Sequence, residues 1–143
     1  MPNFSTLTAQ QKAKYLVIET MVRWAKLEML DLADGDAIDT LYAAEQAQDD
    51  GSFQDARNDT RNGIEAPEIT APTSRNYEVA AHVGKLPDGS YVGWWYYYGG
   101  GKHSEPDYAI DWVAQAFDVA HTSEVVTITK HTFAKVEPVK ESV

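Results

Sequence analysis

Residues 77–98 read YEVAAHVGKLPDGSYVGWWYYY, and the way this stretch pairs decides the fold. Tyr77–Val83 is rich in strand formers, Pro87-Asp88-Gly89 carries a turn signal, and Tyr91–Tyr98 is dense in aromatic residues. A β-hairpin is predicted. Alternate side chains of a strand point to opposite faces, so Tyr91, Gly93, Trp95 and Tyr97 share one face and Val92, Trp94, Tyr96 and Tyr98 the other. In a chain of 143 residues only one face is expected under a helix layer, which leaves some of Trp94–Tyr98 partly exposed. Aromatics in that position suit a protein interface, a core filled from both sides, or base stacking. Interface is the favoured use, with Trp95 and Tyr97 as candidate contacts.

Upstream of the hairpin, Thr8 and Gln11 have the T-x-x-Q form of a capping box, so a helix is predicted from Ala9. Tyr15, Ile18, Val22, Ala25, Met29 and Leu32 recur at helical spacing, and Val17, Met21 and Trp24 widen the stripe. So broad an apolar face predicts more than one neighbour, or a second copy of the protein. Asp34-Gly35-Asp36 offers a turn and an N-cap, and Ile38, Leu41, Tyr42 and Glu45 continue a second helix. The two helices are expected to form an antiparallel hairpin over residues 1–47. Residues 48–76 are rich in Asp, Asn, Gly, Pro, Ser and Thr and read as an irregular connector, with Ile64 and Ile69 as anchors. So long a connector points either to a function or to a short element hidden within it.

Downstream, Ser104 and Asp107 resemble a capping pair, Pro106 suits a first helical turn, and Ile110, Val113, Ala114 and Phe117 form a helical stripe. A last strand is expected over Glu124–Lys135, EVVTITKHTFAK. Residues 77–137 then make a β-β-α-β unit, and 138–143 a tail. The whole is predicted to be one α+β domain, a helical hairpin packed on a small, mainly antiparallel sheet in the order ααββαβ.

Charge is unevenly placed. Ten of the 22 acids, against one base (Arg57), lie between Glu28 and Asp59, so this segment carries nearly all of the net charge of −10. Such a field repels nucleic acid and attracts basic protein surfaces, more weakly at high salt. Asp31, Asp34, Asp36, Asp39, Glu45, Asp49 and Asp50 are the candidate contacts to a partner, and acids spaced along a helix can imitate phosphates. A solvated face that only aids solubility is the plainer alternative.

Gly99, Gly100, Gly101, Lys102 and His103 form a candidate anion-binding loop, since glycine-rich backbone can present amides to an anion. The phosphate-loop spacing is absent, and Glu105 and Asp107 would oppose an anion, so a structural turn is favoured. His103, Glu105, Asp107 and Asp111 do not have a recognised metal-ligand spacing. Nothing implies a cofactor or a catalytic residue, and the chain has no cysteine for a thiolate site or disulfide. No basic leader followed by an apolar run and no spanning apolar stretch occurs, so a soluble, cytoplasmic protein without membrane contact is expected.

The segment WWYYYGGGKHSEP, preceded by LPDGSYVG and followed by TITKHTF, resembles a pattern in small accessory proteins of tailed bacteriophages. The resemblance covers roughly the last 70 residues and carries no established activity. It implies a viral origin, and beside it the acidic segment and exposed aromatics point to a non-enzymatic accessory protein that binds and inhibits or modulates a host protein in the bacterial cytosol. A nucleotide- or anion-binding module, or a self-associating virion component, are the other classes left open.

Overall fold

The structure, a computed structural model, describes residues 3–25, 32, 34–48, 51–100 and 110–136 of the 143. A 3-10 turn at Phe4–Thr6 is followed by α1 (Ala9–Ala25), α2 (Gly35–Gln48), α3 (Ser52–Asn62), β1 (Ile64–Glu65), β2 (Glu78–Lys85), β3 (Tyr91–Tyr98) and β4 (Phe117–Val119). The strands form one antiparallel sheet in the order β1-β2-β3-β4. The fold is α+β, with helices preceding a small antiparallel sheet.

Local chemistry places the helix starts where the sequence predicts them. The Gln11 amide donates to Thr8 Oγ1 at 3.1 Å while Thr8 N–H donates to Gln11 Oε1 at 3.0 Å, the reciprocal bonds of a capping box. Asp34 Oδ1 accepts from the Ala37 amide at 2.9 Å and caps α2. Much of the broad apolar face of α1 is covered within the chain: Phe4 stands edge-on to Tyr15 at 4.9 Å, and α2, α3 and β3 pack along the helix, while Trp24 and Ala25 at its end stay exposed.

α2 begins beside the first turns of α1: Gly35 stands against Gln11, and Asp39 accepts from Gln11 Nε2 and Lys14 Nζ. The antiparallel neighbour of α1 is α3, which lies inside the stretch predicted to be an irregular connector. Thr20 and Thr60 bond through their hydroxyls at 2.8 Å, Arg23 lies 3.8 Å from Asp59, and Ser52 borders a hollow lined by Met21 and Trp24. Residues 48–76 are thus corrected to a connector that holds a helix and a two-residue strand. The helix escapes a periodicity reading because only Phe53 and Ala56 of its eleven residues are buried.

The hairpin pairs Glu78 with Tyr98 through Lys85 with Tyr91, and is closed by Leu86 N–H donating to Ser90 O at 2.8 Å. Gly89 at the turn has φ 88°, a left-handed angle that glycine takes without strain. On one face of the sheet Val92 and Trp94 are fully buried in a core with Val17, Ile38, Leu86 and Trp112, while Tyr96 is half-buried and Tyr98 exposed farther along. Burying side chains of this size stabilises by about 1.5–3 kcal/mol each.

Two expected elements differ. The described part of the third predicted helix, Ile110–Phe117, is a tight turn at Trp112–Gln115 leading into β4. Packing overrides the stripe. Trp112 turns inward to lie 5.1 Å from Trp94, while Phe117 pairs with Gly93 and lays its ring over the place where a side chain would stand. The Ser104–Asp107 cap lies outside the described residues. Residues 124–135 are not a strand, because no sheet edge among the described residues pairs with them and a lone strand leaves its backbone groups unmet.

Candidate functional site

The acidic segment divides by use. Asp34 is a helix cap, and Asp39 is held at 2.8 Å by Lys14 and 3.1 Å by Gln11. The hydrogen bond from Lys14, with one from Gln11, holds the Asp39 carboxyl below its usual range against some desolvation. Asp59 faces Arg23. That leaves the side chains of Asp36, Glu45 and Asp55 without an ion pair or hydrogen bond to another described residue. Asp36 and Asp55 are exposed and Glu45 half-buried. The outward side of α2 also carries Thr40, Ala43, Ala44 and Ala47, so it is not a continuous row of charge. Asp31, Asp49 and Asp50 lie outside the described residues.

Beside these acids, a groove of about 410 Å³ runs between Gln10, Lys14, Asp39, Tyr42, Gln46 and the Asp111–Ala114 turn. Its one phenol is no base at neutral pH. Burial pushes Tyr42 up to about 12, and Lys14 lies 5.4 Å from its ring centre.

The aromatic strand is split between two environments. Trp94 is fully buried, and its indole N–H donates to Arg61 O at 2.9 Å at the end of α3. Tyr96, farther along the same face, is clamped by His82, stacked at 4.2 Å, and by the Arg61 guanidinium, also 4.2 Å from its ring centre. Trp95 and Tyr97 lie on the opposite face and are half-buried. Trp95 packs against Phe117 with the rings tilted and 4.5 Å apart, and the Tyr97 hydroxyl donates to Gln115 Oε1 at 2.8 Å. Each candidate contact therefore already has a partner within the chain.

In the glycine loop, Gly99 and Gly100 have φ of 72° and 94°, and a Cβ on Gly100 would stand 2.7 Å from the Tyr77 ring. The described part of the loop thus has a conformational and packing reason for its glycines. Gly101, Lys102 and His103 lie outside the described residues. Among the described residues no group of three or more His, Asp or Glu is placed to hold a metal ion, and no helix is long and apolar enough to cross a membrane.

The feature missed by sequence reasoning is the stretch predicted as the last strand. Val125, Val126, Ile128, Phe133 and Val136 are 66–100% exposed, the largest run of bare apolar side chains among the described residues. None of residues 120–136 makes a backbone hydrogen bond to another described residue outside regular elements. The composition signal was present in EVVTITKHTFAK; what it lacked was any sign of the missing partner edge. No family model, no curated protein and no solved structure matches this chain.

Proposed function

We propose that this chain is an accessory protein that works by binding another protein, with residues 124–136 as its principal contact element. The observation that carries this reading is the exposure of Val125, Val126, Ile128, Phe133 and Val136 in a segment of high strand propensity. A segment that leaves several large apolar side chains in water suits an interaction site, since a partner that covers them recovers the free energy of their burial. A photo-crosslinking amino acid at position 128 of the full chain tests it. Crosslinks to protein, whether to another copy or to a different chain, are expected; recovery of only uncrosslinked chain under native conditions would refute the reading.

The net charge of −10 favours a second reading, in which the partner is a host protein with a basic surface, as the phage-like segment implies. On that reading Asp36, Glu45 and Asp55 are the contacts, because Asp34 and Asp39 are engaged within the fold. Replacing those three by amides should weaken capture of a basic partner and reduce its salt dependence. Unchanged binding would remove this reading and leave the first intact.

A further inference from the structure

Sequence and structure disagree at residues 124–136, and a segment that is strand-like by composition but bare of partners is where a function is expected. We infer that this segment is an exchange arm that adds as a strand to the β1 side of the sheet of a second copy of this chain. The inference rests on the protein-contact reading above and commits it to one partner.

The accepting edge is only partly covered. β1 pairs with β2 at Val83 and His82 alone, and Ala66 N–H then donates to Ala81 O at 2.8 Å. Beyond that point Glu78–Ala80 has no strand on that side among the described residues. Such an edge invites strand addition, in which backbone bonds give affinity and pockets for alternate side chains give specificity. Grooves flank this edge on both faces. One, of about 440 Å³, is lined by Ala80, His82, Tyr96 and Tyr98, and the other, of about 350 Å³, by Ile64, Ile69, Val83 and Tyr91. The arm is apolar on both of its alternating faces, with Val126, Ile128 and Val136 on one and Val125 and Phe133 on the other.

Charge and position agree with that edge. Lys130, His131 and Lys135 make the arm basic beyond Glu124, whereas Glu65, Glu68 and Glu78 stand exposed along the accepting side, with Arg75 the one base among residues 64–78. The arm also leaves the body beside this edge, because His121 and Thr122 line the same groove as Ile64 and Glu65. Thirteen residues in strand conformation reach about 40 Å, ample to cross onto a neighbouring molecule. Mutual exchange of two arms closes a two-fold dimer, because each copy gives one arm and accepts one.

Sedimentation of the full chain across a wide concentration range, with amide hydrogen exchange on residues 124–136, tests this. A dimer whose arm amides become protected as it forms is expected. The double variant Val126→Asp/Ile128→Asp should raise the dimer dissociation constant by roughly tenfold or more, with the circular dichroism of the body unchanged. Glu65→Lys/Glu78→Lys should also weaken the dimer, and Lys130→Glu/Lys135→Glu on the same chain should restore it. Because the chain has no cysteine, mixing Glu78→Cys chains with Thr129→Cys chains under oxidation should give a disulfide-linked pair. A monomer at every concentration, a monomer with protected arm amides, or a dimer indifferent to the arm variants would each overturn the inference. A monomer whose position-128 crosslinks go to a different protein would overturn it while leaving the protein-contact reading standing.

Discussion

The Trp94 indole occupies the space that a side chain at Gly84 would need. A Cβ built on Gly84 would lie 2.8 Å from Trp94 Cη2 and 2.7 Å from Leu16 Cδ1, both inside normal contact. This one absence lets α1 sit down on the sheet, because Leu16 and Trp94 meet over the bare backbone of β2. Gly84→Ala should therefore destabilise by about 1–3 kcal/mol, the usual cost of overpacking. Urea unfolding checks it; an unchanged midpoint would mean the helix layer can shift without loss.

Trp94 also holds the end of α3 through its indole N–H and Arg61 O. Trp94→Phe keeps most of the apolar volume but leaves that carbonyl without its donor, and should cost about 1–3 kcal/mol. Trp94→Ala removes the ring as well and should cost about 3–5 kcal/mol. The interval between the two, read by denaturant titration, separates packing from the hydrogen bond.

Arg61 ties α3 to β3 by donating to Tyr97 O at 2.7 Å while its guanidinium lies over Tyr96. Lysine reproduces the charge but not the planar fork that serves both contacts. Arg61→Lys should therefore destabilise nearly as much as Arg61→Ala, and hydrogen exchange at Tyr96–Tyr98 should speed up in both. Full rescue by lysine would assign the role of Arg61 to charge alone.

The carboxylates of the acidic segment should respond differently to substitution. Asp34→Ala loses the cap of α2 and should cost about 0.5–2 kcal/mol, whereas Asp34→Asn should be nearly neutral. Asp36→Asn and Asp55→Asn should each cost only about 0.3–1 kcal/mol, the helix-dipole contribution of an acid in a first turn, and less at high salt, since neither side chain has a described partner. Parallel melts at neutral pH distinguish the two classes.

For Asp39 the sign of the pH dependence follows from its lowered folded-state pKa. The unfolded chain takes up the proton first as pH falls, so the stabilisation is present above the ordinary aspartate range and is lost as pH drops through the folded value. Asp39→Asn should flatten this part of the acid limb, and Lys14→Met should do the same. Acid unfolding curves that superimpose on the parent would show that the Lys14 contact adds nothing in solution, as many exposed pairs do.

Much of this architecture was legible because it rests on interactions a few residues apart. The Thr8–Gln11 box, the Asp34 cap and the Pro87–Gly89 turn are each satisfied by atoms within four positions, so sequence determined α1, α2, the central hairpin and the α+β class. Tertiary structure alone decided the rest. α3 carries only Phe53 and Ala56 as buried anchors and depends on contacts from Thr20 and Trp94, far away in the chain. Trp112–Gln115 became a turn because Trp94 drew Trp112 into the core and Gly93 made room for Phe117. The acid at Asp39 looks like those at Asp36 and Asp55 in sequence, and only the approach of α1, which brings Lys14 and Gln11 to it, separates structural from free charge. The same reason governs residues 124–136: propensity is a property of the segment, but a strand exists only where a second edge meets its backbone, and no such edge is adjacent in the sequence.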